Sequence, residues 1–347
     1  MTGPGQELTF LSDLHMAAGG PAEPFNDDAA LAALIDDLAA AVRPGGPARR
    51  LVLLGDFVDL VIAGASGRGP AAAAAGLERI AAAHPQVFAA LARAARGGLA
   101  IDVLPGNHDA ELALPPVARA LGALVPGARV RPWLLHVPGL VLAEHGQQHH
   151  AINRFPALPA LATGAQRNVT PLPSAAVYDA LTARRPAGGA AARHLVALAA
   201  AAPRLAAGLV RARGRGRVNR DAEGLPAAAL VALDDAAVAS VRADGRRRAR
   251  AAARRPGTPS FAAMLPGAAA RSHAVLARFG ATVPFYVFGH THVAADVPLA
   301  SVPHARYLNC GAWIPERTLV TLGLAPGRRA YGRLERWDPE SRLRSAA

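Results

Sequence analysis

Five short apolar runs along this chain each end in a cluster of Asp, Asn or His side chains. The clearest run, residues 51–54, is followed by Gly55 and by the carboxylates of Asp56 and Asp59. Four consecutive apolar residues that stop at a glycine are typical of a buried strand in an α/β sheet. Ligands of open α/β sheets bind at the carboxyl ends of the strands. The pattern therefore predicts a ligand site built from strand ends.

The other four runs repeat this order of an apolar strand followed by polar donors. Their donor segments are Asp13-Leu14-His15, Gly106-Asn107-His108-Asp109, Glu144-His145-Gly146 and Gly289-His290-Thr291-His292. Two of these segments carry donors two residues apart, which face the same way if the backbone is extended. Carboxylate, amide and imidazole groups suit divalent Mn, Fe or Zn. We therefore expect donors from distant parts of the chain to converge on metal.

The donor set predicts a pair of divalent cations held close together. Such a pair needs an anionic bridge, for which Asp56 is the candidate, while neutral donors such as Asn107 and His145 complete each shell. A site of this kind lowers the pKa of a bridging water and provides a hydroxide for in-line attack at phosphorus. His108 would donate a proton to the leaving oxygen, with Asp59 orienting its ring.

The five segments, taken in order, resemble the motifs of the calcineurin-like metallophosphoesterase superfamily. The resemblance covers roughly residues 8–146 and 284–347. It implies an α/β fold (α+β in some schemes), a four-layer β-sandwich of two mixed sheets flanked by helices. It also implies a hydrolase with two divalent metal cofactors, and it assigns proton donation to the pair Asp59–His108 and substrate binding to Asn107 and His108.

The same resemblance implies a ligand set for each metal. One metal takes Asp13, His15, Asp56 and His292, and the other takes Asp56, Asn107, His145 and His290.

A narrower likeness is to the UDP-2,3-diacylglucosamine hydrolases of lipid A synthesis. In both, a helical insertion precedes the Gly-His-Thr-His segment, and here the segment 310–313, Cys-Gly-Ala-Trp, follows it. The insertion of those enzymes forms a lid over acyl chains, which implies a lid here. The chain departs from them at His108, where they carry Arg, and at Gln147, where they carry Asp. The likeness therefore favours the lid and not that substrate.

The positive charge of the chain is concentrated in its middle. The formal net charge is +13, and residues 151–280 contain 20 Arg against 6 acidic residues. Strand patterns are absent from this stretch, while Ala, Leu and Val recur at helical spacing. We therefore predict a discontinuous metallophosphoesterase domain over 1–150 and 281–347 and a helical, Arg-rich insertion over 151–280. The Arg-dense runs 211–217 and 246–255 are expected to form flexible loops.

The basic insertion leaves several partners open. Solvated helix faces and GC-rich codon usage account for part of the Arg content. The functional alternatives are contact with an anionic substrate, such as a phosphorylated small molecule, a nucleotide or a lipid-linked phosphate, and peripheral docking on an acidic membrane. Nucleic acid binding has weaker support because aromatic residues for base stacking are few. The rivals to a phosphohydrolase are thus a metal-dependent nuclease and a non-catalytic scaffold that binds a membrane or a partner.

The single cysteine, Cys310, excludes an internal disulfide framework and fits a reducing compartment. The sequence contains no recognisable secretory signal and no uninterrupted apolar run long enough to span a membrane. We therefore expect a cytoplasmic protein, with peripheral contact to a membrane as an alternative.

Several residues near the motifs have less direct interpretations. Asp109 is expected to support the site or cap a helix rather than bind metal. His149 and His150 follow His145 closely enough to reach the site, but they are expected to be solvated loop residues. Cys310 is expected in the core, and Trp313 either lines the cleft or packs.

Local patterns also predict the elements between the motifs. Helices are expected over about 29–42, with an N-cap within 26–28, over about 71–96 with a break at Pro85, and from the pair 115–116 to about 124. Paired strands are expected within 130–141, and further strands from 284, over 306–311 and 319–322, and near 331–337.

Overall fold

The computed structural model describes residues 5–150, 153–154, 225–252, 264–300, 302–324, 329–339 and 342–345. Across these residues the chain forms two mixed β-sheets flanked by helices. This architecture confirms the predicted α/β fold with a sandwich of two sheets.

The elements of the described residues are named here in chain order. The strands are β1 (Gln6–Leu11), β2 (Ala48–Leu54), β3 (Ala100–Leu104), β4 (Arg129–Val130), β5 (Leu134–Val137), β6 (Val141–Glu144), β7 (Phe285–Phe288), β8 (Ala295–Pro298), β9 (Arg306–Asn309), β10 (Thr318–Leu324), β11 (Tyr331–Asp338) and β12 (Arg342–Ser345). The helices are α1 (Asp28–Ala40), α2 (Pro70–Ala83), α3 (Pro85–Arg96), α4 (Pro115–Leu124), α5 (Ala227–Ala252) and α6 (Met264–Ala277), with short 3-10 helices at Ala110–Ala113 and Gln147–His149.

The larger sheet has the strand order β12-β11-β10-β1-β2-β3-β4. Strands β1 to β4 are parallel, whereas β10, β11 and β12 are antiparallel to their neighbours. Leu11 pairs with Leu53, and Leu53 pairs with Val103. Because these strands are parallel and in register, the segments that follow them leave the sheet at one edge. The donors after β1, β2 and β3 therefore begin as neighbours.

The smaller sheet has the strand order β5-β6-β7-β9-β8. Strands β6, β7 and β9 are parallel, with Ala143 paired to Val287 and Val287 to Leu308. The donor segments that follow β6 and β7 are therefore adjacent as well. The edge strand β8 carries mostly exposed side chains and has no clear apolar pattern in the sequence, which is why the sequence analysis did not predict it.

A layer of apolar side chains packs between the two sheets. Alternate residues of the strands face this layer, which joins the sheets through Phe10, Val52, Leu104, Val141, Val287 and Leu308. The intervening residues, such as Leu53 and Ile101, pack with the helices on the outer face. Both faces of the central strands are thus covered, which is why their sequences are apolar without alternation.

Two predictions for the N-terminal helices need comment. The helical stretch predicted to break at Pro85 does divide there, into α2 and α3. The side chain at the N-cap of α1, Asp27, makes no capping hydrogen bond, contrary to expectation. Asp27 instead accepts hydrogen bonds from Trp313 Nε1 at 3.0 Å and from Arg317 Nε at 2.6 Å. The charge-assisted hydrogen bond from Arg317 is stronger than a capping hydrogen bond at the helix N-terminus, so Asp27 makes the former.

The strands predicted as a pair within 130–141 belong to different sheets. Arg129 and Val130 form β4 beside β3, whereas β5 pairs with β6 in an antiparallel hairpin. The local apolar pattern does not distinguish the two, because the sheet a strand joins is set by contacts distant in sequence.

Two helices of the described residues fall within the predicted insertion. Helices α5 and α6 pack on each other, and His273 Nδ1 of α6 lies 2.9 Å from the hydroxyl of Tyr286 on β7. Residues 246–252, expected in a flexible loop, continue α5 as helix because Arg and Ala are good helix formers. The run 211–217 and residues 253–255 lie outside the described residues, and the division into two domains stays a prediction.

No helix within the described ranges is both long enough and apolar enough to cross a membrane.

Candidate metal centre

The two sheets bring all the predicted site residues to one end of the sandwich. Most of them line one cavity of about 550 Å³, whose wall includes His15, Asp56, Asp59, Asn107, His108, His290 and His292. Asp13 and His145 lie directly behind this wall, each with an atom 3.9 Å or less from a lining residue. The structure thus brings together every predicted residue, and their roles as ligands stay predictions.

Among the residues that the structure describes, three groups of side chains could each hold a cation, because their ligand atoms lie within 4.8 Å of one another. We call Asp13, His15 and His292 the first donor group, and Asp56, His145 and His290 the second. A third donor group combines His15, Asp56 and His108. The first two are subsets of the predicted ligand sets, whereas the third was not anticipated.

The first donor group has the spacing of ligands around one ion. His292 Nε2 lies 3.2 Å from Asp13 Oδ1 and 3.2 Å from His15 Nε2. Two donors each about 2.1 Å from a cation are about 3.0 to 3.4 Å apart for octahedral or tetrahedral angles. The observed separations therefore match a shared cation.

The carboxylate of Asp56 connects the first and second donor groups. Its Oδ2 lies 3.2 Å from His145 Nε2 and 3.7 Å from His15 Nε2. Its Oδ1 accepts a hydrogen bond of 2.8 Å from the backbone N–H of His108, which holds the carboxylate in place. One oxygen facing a histidine of each group is the arrangement expected of a bridging ligand.

Hydrogen bonds on the far side of two rings orient them as metal ligands. His145 Nδ1 lies 2.9 Å from the carbonyl oxygen of Leu54, which can only accept, so the proton is on Nδ1. His15 Nδ1 lies 3.0 Å from Asp59 Oδ2 in the same way. Both rings then turn Nε2 towards the carboxylates, as ligating histidines do.

The residues present fit a pair of divalent cations. Within the described part of the chain, the buried atoms Asp13 Oδ1, Asn107 Oδ1 and His145 Nε2 have no hydrogen-bond partner. Buried polar atoms are nearly always satisfied, so three such atoms around one site need an explanation. Two lone pairs that face each other, as on His15 and His292, also repel unless a cation or proton lies between them. Cations would satisfy all of these atoms.

The backbone of the donor segments is strained. Asp13, His15, Asp56, His290 and His292 all have φ between 51° and 67°, in the left-handed region. The donors that are two residues apart therefore lie in tight turns, and the prediction that their backbone is extended is wrong. Such conformations cost of order 1–3 kcal/mol each and concentrate at functional sites. Asp and His tolerate them better than most residues, which explains their use here.

Two glycines let the segments approach closely. A Cβ at Gly106 would overlap the carboxylate of Asp56, and one at Gly289 would overlap Ser12 Oγ. Ser12 Oγ in turn donates to Asp13 Oδ2 at 2.7 Å, so the Gly289 contact helps to hold a donor carboxylate.

Asp59 holds two histidines at once. Its Oδ2 lies 2.8 Å from His108 Nδ1 and 3.0 Å from His15 Nδ1, while its Oδ1 accepts the backbone N–H of Ile62 at 2.7 Å. Burial disfavours the carboxylate, but hydrogen bonds from both histidines hold the pKa of Asp59 at about 2. Asp59 therefore stays ionised next to the ring of His108, and its predicted role in orienting that ring stays a prediction.

The histidines differ in their protonation. Burial opposes the charge on His108 and His145, but the carboxylates around them outweigh it, led by Asp56, and raise the pKa of His108 to about 9 and of His145 to about 10. Burial, aided by the charge of His145, instead lowers the pKa of His290 well below its usual value. At neutral pH His108 thus carries a proton that it can donate, whereas His290 is neutral and can bind metal.

Asp109 supports the site rather than lining it, as expected. Its carboxylate accepts backbone N–H groups from Gly106 at 2.6 Å and from Phe57 at 2.8 Å. These bonds tie the segment after β3 to the segment after β2. Cys310 is fully buried, as expected. Trp313 is also buried and stacks on Trp337, so of its two interpretations packing applies.

The expectation of a solvated side chain is wrong for His149, whereas His150 is half-buried. His149 is 1% exposed, and its Nε2 lies 2.8 Å from Glu144 Oε1, while Trp133 Nε1 donates to Oε2 of the same carboxylate at 2.9 Å. His150 Nδ1 lies 3.4 Å from His290 Nε2. The 3-10 helix at Gln147–His149 turns this segment back towards the site, and no local sequence pattern predicts that turn.

The sequence analysis missed other residues that line the cavity, namely Ala22, Pro24, Ile62, Asn153 and Thr291. Asn153 is the most polar of them and follows no strand, so the strand-end pattern could not identify it. Thr291 stands between two predicted ligands, which was the one available signal for it.

Comparisons with known proteins give little further information. No protein-family model matches the chain. No curated protein matches it. Among solved structures, the chain is similar to the crystal structure of phosphopantetheinyl hydrolase (PptH) from Mycobacterium tuberculosis, with 12% sequence identity and a TM-score of 0.30. The similarity covers 89% of this chain and 91% of that chain. A similarity at this level establishes neither the fold nor the function of the chain.

Proposed function

We propose that this chain is a dinuclear metal-dependent phosphohydrolase of the calcineurin-like metallophosphoesterase type, which cleaves a phosphoester or pyrophosphate bond. The observation that carries the proposal is the position of Asp56 Oδ2, 3.2 Å from His145 Nε2 and 3.7 Å from His15 Nε2. This arrangement supports one carboxylate shared between two cations. The order of the five donor segments along the chain supports the same family.

The proposed ligands are divided between two cations. Asp13, His15, Asp56 and His292 would hold one, and Asp56, Asn107, His145 and His290 the other. The cations, when bound, would polarise a phosphoryl oxygen and lower the pKa of a coordinated water. Four positive charges facing two ligand carboxylates leave a surplus that favours an anionic substrate.

The chain itself supplies the proton and its control. His108 would donate a proton from Nε2 to the leaving oxygen, since its Nδ1 is held by Asp59 at 2.8 Å. The raised pKa of His108, about 9, keeps that proton available at neutral pH. Asn107, beside His108 on the cavity wall, would bind the cation through a side-chain oxygen that is otherwise unsatisfied and contact the substrate through its amide N–H groups. The substrate class we propose is a phosphorylated small molecule, a nucleotide or a lipid-linked phosphate.

The proposal is tested by chelating the purified protein, reloading it with Mn²⁺, Fe²⁺ or Zn²⁺, and assaying a chromogenic phosphodiester and monoester. We expect about two cations per chain and hydrolysis only after reloading. Less than one cation per chain, with no hydrolysis of either ester, would overturn the proposal in favour of a non-catalytic scaffold. Cleavage of single-stranded nucleic acid with steeply salt-dependent affinity would instead favour a nuclease.

A further inference from the structure

Asn153 is a polar residue of the cavity that the proposed mechanism does not use. It lies in a turn, where its backbone N–H donates to the carbonyl oxygen of His150 at 3.2 Å, and that of Arg154 donates to the same oxygen at 2.9 Å. The turn is anchored because Arg154 is buried and donates to the carbonyl of Gln148 at 2.9 Å and to Asp234 of α5 at 2.5 Å. Asn153 is therefore held in a defined place.

The side chain of Asn153 points at the second donor group. Its Nδ2 lies 3.3 Å from His290 Nε2, and its buried Oδ1 makes no hydrogen bond within the described residues. His290 Nε2 is the ring nitrogen that would bind a cation of the second donor group. A cation on His290 removes the acceptor that Nδ2 faces. The amide N–H groups would then need another acceptor in the cavity.

A phosphoryl oxygen is the acceptor that meets this need. The cavity wall already contains the carboxylates of Asp56 and Asp59, with Asp13 behind them, and each has an oxygen within 3.2 Å of a histidine nitrogen. An anionic oxygen bound beside His290 would lie within reach of the Asn153 amide. A neutral amide can donate two hydrogen bonds without adding charge to a site that must also bind cations.

We propose, resting on the proposed function, that Asn153 is a substrate-contacting residue whose side-chain amide donates a hydrogen bond to a non-bridging oxygen of the phosphoryl group. It acts from the His290 side of the cavity, and it comes from the segment that α5 anchors. The position of α5 thereby sets the position of a phosphate donor.

The experiment compares Asn153→Ala and Asn153→Asp with the unmodified protein, all reloaded with the same cation. Binding of inorganic phosphate is measured by calorimetry, metal content by elemental analysis, and KM and kcat with the chromogenic ester. The matched control is the same pair of substitutions at Asn26, which is exposed and does not line the cavity. Asn153→Asp keeps the shape of the side chain, so it gives a result even if the Ala variant fails to fold.

We expect both variants to keep their cations and to bind phosphate about 10- to 100-fold more weakly, which is the effect of losing a hydrogen bond to a charged group. The Asp variant should be the weaker of the two, because its carboxylate repels phosphate, and KM should rise more than kcat falls. The Asn26 variants should bind phosphate as the unmodified protein does.

Unchanged phosphate affinity in both variants would overturn the proposal, as would a failure of the unmodified reloaded protein to bind phosphate. Loss of a cation from the Ala variant would overturn it too, because Asn153 would then be a metal ligand. If the unmodified protein binds phosphate but cleaves no ester, the proposed function fails, and the phosphate affinities still decide the role of Asn153.

Discussion

The two main donor groups differ in how far water reaches them. In the first, the side chain of His292 is 51% exposed, whereas Asp13 is buried. In the second, Asp56, His145 and His290 are all 5% exposed or less. The second group lies deeper because His145 follows β6, a strand of the smaller sheet that is buried along its whole length. A cation in the first group would thus exchange with solvent more readily than one in the second, although Asp56 lies close to a histidine of each group.

The largest effect is expected for Asp56→Asn, which tests whether the two groups act as one site. Loss of the bridging charge should release both cations and reduce hydrolysis about a thousandfold or more, since a bound cation supplies several kcal/mol of transition-state stabilisation. Metal content and turnover are measured together, with Asp36→Asn as the control, because Asp36 is a half-exposed surface residue paired with Arg93. Loss of a single cation would show that the groups are independent.

His108→Ala should reduce turnover by about 10² to 10⁴-fold, with the greatest loss for esters with poor leaving groups, because these most need protonation. His108 is connected to the first donor group through Asp59, which it shares with His15. Rates for a series of leaving groups measure the effect. An equal loss for every ester would contradict proton donation, and the loss of a cation would support the third donor group instead.

His290→Ala and His292→Ala compare the two groups directly. We expect each substitution to weaken the binding of one cation. Loss of a residue that only orients a metal ligand typically weakens metal binding by roughly 10- to 100-fold. The loss should be larger than this for His290→Ala and smaller for His292→Ala. This difference is expected because His292 is half-exposed, so water can take the place of its ring. Calorimetric metal titration of both variants is the measurement, and His304→Ala, at an exposed position outside the site, is the control. A larger loss of metal affinity for His292→Ala than for His290→Ala would contradict the comparison.

The smallest effect concerns the stability of the chelated protein against pH. The pKa of His145 is raised to about 10 and that of His108 to about 9, so their protonation stabilises the fold fully below the unfolded value of about 6.5. This contribution is lost as the pH rises through 9 and 10. The melting temperature in chelator should therefore fall between about pH 6.5 and 10. Reloading should flatten the fall, because a cation replaces the proton of His145. A flat profile in chelator would contradict these assignments.

Much of the fold could be predicted because its signals are local. The apolar runs of the central strands, the break at Pro85 and the helix that begins at Pro115 each depend on a few neighbouring residues. The exposed strand β8 and the separation of β4 from β5 could not be predicted. Strand β8 has no apolar pattern to mark it. Strand β4 pairs with β3, from which helix α4 separates it in the chain, and no local pattern records that partner.

The candidate site divides in the same way. The strand-end pattern identified donors from Asp13 to His292, and the structure brings them to one cavity. The pattern failed for His149 and Asn153, which follow a turn rather than a strand. It also gave the wrong reason for the pairing of Asp13 with His15, because left-handed turns and not extended backbone aim these side chains.

The sequence by itself determined which chemical groups are available and in what order they leave the strands, because residue type and apolar runs are properties of neighbouring positions. The tertiary structure alone decided that three of the donor segments leave one sheet and two leave the other. It also decided that a single oxygen of Asp56 lies between two histidines 130 positions apart in the chain. Such distances depend on how the two sheets pack, and packing is settled by the whole core at once.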